Sequence, residues 1–504
     1  MGIIQKQTIK GSIITYIGVI IGFITGGLLL PKYLSAEQNG VLELLVAYSL
    51  VFASLATLGI NAISNRLFPY FRDKKTNHNG YFFILVCVSL AGFFLSILIF
   101  LLFKPIIIKT DLEKYALFAK YVNYIIPLSF FSLVFLVIDI YYSVLFNAVK
   151  GIFIKEFLQR IFIFAAILFI IFKLCDFESF LLIWVIALSL PGLIILINLI
   201  IDKEFIVKPK LSFLTTDLKR SMISVGAYGI IIAFSNIIIQ YVDRIMINEM
   251  LGLEATGIYG RTFFFGVLII LPIRALNKIS IVVIADAWKK NDIKTINDIY
   301  SSTTINQLIF GLLLFIGIWA NIGNVFKIMP EVYNEGKYVI FFIGLANLFV
   351  MASGVSGPIL STSKYFKALS YFVIIFGLLV VITNYIFIDK FGMTGAAVAS
   401  ALSSFCFCLM RYIYLYKRYK MQPYRFKHLI IILIGIISFF ASTLIPEIDN
   451  PLKPNLFLII DIFVRSSTIL LIYGVLIIIT GVSVAVNEKY NNFIIKIRSL
   501  LNKS

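Results

Sequence analysis

Three cations stand in an apolar stretch of this chain: Arg261, Arg274 and Lys278, with no acidic residue between 255 and 285. Ionisable side chains in such a stretch are costly to bury, so by default they mark a site that faces water, a counter-ion or a ligand. Arg274 and Lys278 are four residues apart and share a helix face. Arg261 is turned away from them unless Pro272 kinks the segment between. Cations with no acidic neighbour in their own stretch suit an anion, and guanidinium forks suit phosphate in particular. The competing account is snorkelling, with the charged ends reaching a membrane interface. Arg66, closing Asn61-Ala62-Ile63-Ser64-Asn65-Arg66, fits an interface and a cavity equally well. Among the carboxylates, Asp139 lies deep in an apolar run just before Tyr141 and Tyr142, and Asp243 precedes Arg244 at the end of another. Either could face a cavity or carry a coupling proton, while Asp243-Arg244 also reads as an interfacial pair at a helix end. Asp461 and Arg465 are four apart and predict a structural ion pair.

No Gly-rich loop with a lysine suggests nucleotide binding, and no Ser/His/Asp arrangement suggests a covalent mechanism. His78 and His428 are isolated, and Cys87, Cys175, Cys406 and Cys408 lie in or beside apolar runs. These residues predict neither a metal site nor a cofactor, and the chain reads as a non-enzyme.

The elements that must position these residues are membrane helices. Of 504 residues, 60% are hydrophobic, and the mean hydropathy is +0.99. Continuous apolar runs fall at 11–31, 41–66, 81–103, 118–147, 152–173, 178–201, 221–243, 255–284, 303–326, 337–362, 368–388, 393–416, 428–446 and 456–484. A helix of about 20 residues crosses roughly 30 Å of hydrocarbon. The runs do not alternate as barrel strands would. The expected fold class is therefore an all-α polytopic membrane protein of about 14 transmembrane helices. No cleavable signal is evident, so the first run reads as a retained helix.

Most of the 44 basic residues fall in alternate gaps, for instance Arg66, Arg72, Lys74 and Lys75, then Lys203, Lys208, Lys210, Lys219 and Arg220. By the positive-inside rule those gaps, and both termini, are cytoplasmic. The net charge of +19 is then a topology signal, and nucleic acid is not expected as a partner. The tail Glu488–Ser504 could lie on the inner leaflet as a basic amphipathic segment.

The chain also reads as one unit built twice. Leu34-Ser35-Ala36-Glu37-Gln38-Asn39-Gly40 is echoed by Leu251-Gly252-Leu253-Glu254-Ala255-Thr256-Gly257, with Leu, Glu and Gly at the same spacing. Both heptads sit on the outer side, after the first helix of each half. An even number of helices per half makes the repeat parallel. The expected organisation is an N-terminal six-helix lobe over 1–205, a C-terminal six-helix lobe over 206–420, and two further helices with a basic tail over 421–504. Glycines at 18, 22, 26 and 27 line one stripe of the first helix, for tight packing or for bending.

With Leu58-Gly59-Ile60-Asn61 through Phe68-Pro69-Tyr70-Phe71, Asp243-Arg244, Ala285-Asp286-Ala287-Trp288-Lys289-Lys290 and Gly392-Met393-Thr394-Gly395-Ala396-Ala397-Val398-Ala399, the heptads resemble bacterial polysaccharide flippases. The similarity is to the O-antigen (Wzx-like) exporters of the multidrug/oligosaccharidyl-lipid/polysaccharide superfamily. It implies alternating access in the bacterial plasma (inner) membrane and an undecaprenyl-diphosphate-linked oligosaccharide as cargo. It further implies a monomer among membrane lipids, with other polysaccharide assembly proteins as partners. Arg66, Arg261, Arg274 and Lys278 would then contact the diphosphate. A cation-coupled multidrug exporter of the same superfamily is the alternative. A glycan polymerase or ligase is disfavoured by the repeat and the short external gaps.

Overall fold

A computed structural model describes residues 14–108, 116–147, 149–448 and 454–484, with 486–488, 490–492 and 495 beyond them; the side chains of 211, 272–279, 282, 366 and 454–455 are not included. Most of the basic tail lies outside these residues.

The fold is all-α. Among the described residues, 12 helices are long and apolar enough to cross a membrane. One of them, Phe366–Tyr419, runs 54 residues through a break at Gly392, whose φ of 58° a residue with a Cβ adopts only at a cost. That helix therefore covers two expected spans. The run from Val149 to Ile171 supplies another, interrupted by a π-helical segment at Phe153–Leu158. Apolar side chains such as Phe94, Leu98, Leu101 and Leu102 are exposed along Tyr81–Ile108, as expected of a face turned to lipid.

Two units make up the chain: the residues up to Arg261 together with Asn384–Met393, and Thr262–Thr383 together with Thr394 onward. In the first, the Ala36–Ala56 helix is central, packed against Ile125–Val144, Tyr81–Ile108 and Thr216–Leu251. Its Val41, Leu44, Leu45 and Ala53 are fully buried. In the second, Ile293–Ala320 packs against Lys337–Ala352, Phe426–Thr443 and Pro454–Thr480. There Ile309, Leu312, Ile431, Ile434 and Ile469 form the core, and the Tyr473 hydroxyl donates to the Ile309 carbonyl at 3.0 Å.

The two echoed heptads are both helix starts, and they meet. Ser35 caps Ala36–Ala56 in a capping box: its hydroxyl accepts from the Gln38 amide at 3.1 Å and its own amide donates to the Gln38 side chain at 3.0 Å. Leu253–Val267 starts after Gly252, at φ 98°. A Cβ at Gly40 would run into the Leu253 carbonyl, and one at Gly257 into the Ala36 carbonyl. In the register of the heptads, Gly40 corresponds to Gly257 and Ala36 to Leu253. The contact is thus the same contact made twice, and glycine is what allows the backbones to approach that closely.

Candidate functional site

Beside that glycine contact, three helices of the first unit bring Glu43, Arg244 and Arg261 together. Glu43 lies one turn beyond Gly40 on Ala36–Ala56, Arg244 on Thr216–Leu251 and Arg261 on Leu253–Val267. Arg244 Nε donates to Glu43 Oε2 at 2.8 Å, and Arg261 Nη2 stands 3.4 Å from Glu43 Oε1. Both guanidinium groups are about nine-tenths buried, and the Glu43 side chain is 17% exposed. One carboxylate therefore serves two arginines. Arg244 also donates to the Gln240 carbonyl at 3.0 Å and lies over the Tyr241 ring.

Asn39 fixes the second arginine. Its amide nitrogen donates to the carbonyls of Leu30, Leu34 and Ser35, at 3.3, 3.3 and 3.0 Å. Only Oδ1 then remains to accept, and Arg261 Nε donates to it at 2.8 Å. Small residues make the space: a Cβ at Gly260 would collide with the Glu43 side chain, and one at Gly26 would sit 3.8 Å from Arg261 Nη1. In the heptad register Gly260 is the counterpart of Glu43, while Gly26-Gly27 is the counterpart of Asp243-Arg244. The repeat keeps the backbone contact and breaks its symmetry in charge.

The other sequence candidates are distributed differently. Asp243 is 3% exposed. It accepts from the Tyr259 hydroxyl at 2.7 Å and from the Asn384 amide at 2.8 Å, within the same unit. Asp139 is half-buried; a Cβ at Gly151 would collide with its carboxylate, and its charge acts on Lys155. Arg66 is exposed on Ile60–Phe71 and takes no part in the Glu43 network. Arg274 and Lys278 sit on the Leu271–Lys289 helix, and their side chains lie outside the described ones. For Arg261, the missing acidic neighbour comes from another helix. Asp461 and Arg465 form the expected pair at 2.6 Å.

Arg160 was not singled out from the sequence. Its guanidinium carbon would stand 3.4 Å from a Cβ at Gly22, and among the described residues its buried Nε has no hydrogen-bond partner. Its charge acts on Tyr241, as do those of Arg244 and Glu43. The signal was there, since Arg160 falls inside the apolar run 152–173, but it reads as a topology charge following Lys150 and Lys155. Among the described residues no group of His, Cys, Asp and Glu could hold a metal ion.

Solved structures of transport proteins share this fold. The lipid II flippase MurJ in an inward closed conformation is similar at 16% identity, over 94% of this chain and 98% of that one, with a TM-score of 0.70. An inward-facing multidrug resistance MATE family transporter of the MOP superfamily is similar at 13% identity, over 81% and 98%, with a TM-score of 0.64. A family model for polysaccharide biosynthesis proteins matches residues 4–278, more than half of the chain, and the chain belongs to that family. Comparison with curated protein sequences gives no match.

Proposed function

We propose that this protein is a flippase that carries undecaprenyl-diphosphate-linked oligosaccharide units from the inner to the outer leaflet of the bacterial plasma membrane by alternating access, for surface polysaccharide synthesis. The observation that carries the reading is the pair of buried arginines sharing Glu43 in a chain of the polysaccharide biosynthesis family. A diphosphate offers the acceptor oxygens and charge that a single carboxylate divides between two guanidinium forks. Arg261, whose contact to Glu43 is the longer, is the group that would turn to the cargo, while Asn39 keeps its Nε oriented. Arg160 adds a further cation nearby, and Arg66, Arg274 and Lys278 would serve the headgroup along its path. Asp243, with Tyr259 and Asn384 donating to it, is the preferred coupling carboxylate, ahead of Asp139.

The reading includes two six-helix lobes over 1–205 and 206–420 with an appended pair of helices, both termini cytoplasmic, a monomeric carrier and no covalent step. A multidrug exporter of the same superfamily remains the alternative, favoured by the likeness to MATE transporters. It fits less well because Glu43, the carboxylate that a cationic drug would seek, is already taken by two arginines.

The test is a deletion strain complemented with wild type, Arg261→Ala or Arg244→Ala, followed by lipid-linked oligosaccharide on each leaflet and by surface polysaccharide. The expected result is cargo trapped on the inner leaflet in the deletion and in both variants at normal protein levels. Export at wild-type level by both variants would overturn the phosphate-binding role. Full export in the deletion strain itself would overturn the flippase reading.

A further inference from the structure

In the second unit, Arg411 presents a different problem of charge. It lies on the Phe366–Tyr419 helix and is 8% exposed. The guanidinium stacks on the Phe407 ring, 4.4 Å from its centroid. Its Nη2 donates to the Ser353 hydroxyl at 3.1 Å and to Cys408 Sγ at 3.2 Å. A Cβ at Gly357 would sit 3.0 Å from Nη1, so Gly357 leaves space for the group. Among the described residues no carboxylate pairs with it, and its Nε is buried with no hydrogen-bond partner.

The surroundings are short of acceptors in the same way. Among the described residues the Ser356 hydroxyl, three residues from Ser353, is buried without a partner, as is the Tyr300 hydroxyl, which lies within electrostatic reach of Arg411. Tyr300 packs in one cluster with Val355, Ile359 and Leu360, the residues around Ser356. A water molecule could satisfy Nε or a hydroxyl, but it would leave the buried charge unbalanced, and an unbalanced buried charge is costly. A group rich in acceptors and negatively charged would answer all three deficits at once.

We propose that the second unit holds a phosphate-binding site built from Arg411, Ser353, Ser356 and Tyr300, distinct from the Glu43 centre of the first unit. The guanidinium supplies the charge and the fork, and the Ser356 and Tyr300 hydroxyls donate to the remaining phosphate oxygens, while the Ser353 hydroxyl, which donates to the Val350 carbonyl at 2.7 Å, holds Nη2 in place. The phosphate can come from an anionic lipid headgroup or from a free phosphate. The helix that carries Arg411 continues into Lys417 and Arg418 at its end, so the approach is basic. This site does not depend on the cargo proposed above.

The experiment uses the full chain in nanodiscs and follows thermal unfolding of wild type, Arg411→Gln, Arg411→Lys, Ser356→Ala and Tyr300→Phe. One arm titrates inorganic phosphate at constant ionic strength in phosphatidylcholine; the other replaces phosphatidylcholine by phosphatidylglycerol without phosphate. A ligand that binds the folded state raises Tm with its concentration. The expected result is that wild type is stabilised in at least one arm, which also identifies the source of the phosphate. Arg411→Gln should weaken the response at least about tenfold, Arg411→Lys less, and each hydroxyl variant a few-fold. Arg261→Ala should keep the part of the response that Arg411→Gln removes. The proposal is overturned if wild type responds in neither arm, if Arg411→Gln responds like wild type, or if Arg261→Ala abolishes the response. Should Arg411→Gln not fold, an unchanged response in both Ser356→Ala and Tyr300→Phe overturns it instead.

Discussion

The Glu43 network of the first unit and the Asp461 network of the second are both buried and both built on one carboxylate, yet they are constructed for different ends. Asp461 takes its cation from the same helix, one turn away, and its remaining lone pairs accept from the Asn324 amide at 2.6 Å and the Ile448 amide at 3.2 Å. Arg465 then donates to the Ser442 carbonyl at 3.2 Å. One charge answers one charge, and neutral groups complete the rest. Glu43 draws its cations from two other helices and divides itself between them, at 2.8 and 3.4 Å. The balanced pair ties a loop and three helices together. A carboxylate shared by two arginines leaves cationic capacity for a ligand.

Substitutions of the two carboxylates give the largest contrast. Glu43→Gln and Asp461→Asn each leave buried guanidinium charge uncompensated, at a cost of about 3–5 kcal/mol in a buried setting, to be read by denaturation in detergent. The expected difference is functional. Export per folded molecule should be lost in Glu43→Gln and kept in Asp461→Asn, and a folded Asp461→Asn that fails to export would remove the distinction. Arg261→Lys is the next step down. It keeps the charge and loses the planar fork that spans Asn39 and Glu43, a loss of about 1.5–3 kcal/mol in a charge-assisted setting. Export assayed at matched protein levels should fall about tenfold or more, whereas Arg465→Lys should leave export unchanged.

How much of this contrast could be read in the sequence depends on separation along the chain. Asp461 and Arg465 are neighbours on one helix, so spacing alone revealed them. Arg261 was visible as a cation in an apolar run, but its carboxylate lies more than two hundred residues away, and no helical period reports such a contact. Arg160 was hidden behind Lys150 and Lys155, because the positive-inside pattern gave all three an adequate explanation. The membrane helices were legible because continuous apolar runs report the bilayer directly, and the break at Gly392 falls in the gap expected between 388 and 393; the π-helical segment at Phe153–Leu158, which depends on packing, was not legible. The echoed heptads signalled duplication, and the structure adds that the two copies touch through equivalent residues.

That contact allows a smaller test of whether the arginine pair depends on close approach. Gly40→Ala and Gly257→Ala insert the same methyl into equivalent positions, each against a backbone carbonyl of the other helix. Overpacking of this kind costs about 1–3 kcal/mol, and the two variants should cost alike if the contact is symmetric. Both should also weaken export, since Glu43 and Arg261 are carried by the helices forced apart. A variant equally destabilised with unchanged export would separate the contact from the site.

The smallest effect belongs to an ion pair outside the membrane spans. Asp202 follows the Phe177–Ile201 helix, pairs with Lys150 and accepts from the Tyr142 hydroxyl at 2.5 Å. The Lys150 ammonium, then the Tyr142 hydroxyl, hold its carboxyl below the usual carboxylate range. A carboxyl whose folded value is lowered binds its proton more readily when unfolded, so its contribution is present above the unfolded value of about 3.9 and is lost as pH falls through the folded value. Both partners are about a third exposed, 33% for Lys150 and 30% for Asp202. Solvent screening therefore limits the contribution to about 0–1 kcal/mol, and salt reduces it further. Asp202→Asn should lower Tm slightly at pH 7 and converge with wild type as pH falls through the lowered folded value of Asp202, whereas Asp461→Asn should differ strongly at pH 7. Equal losses from the two at neutral pH would mean that burial does not govern the strength of these pairs, and the distinction drawn between balanced and shared carboxylates would then need a cause other than the low-dielectric interior.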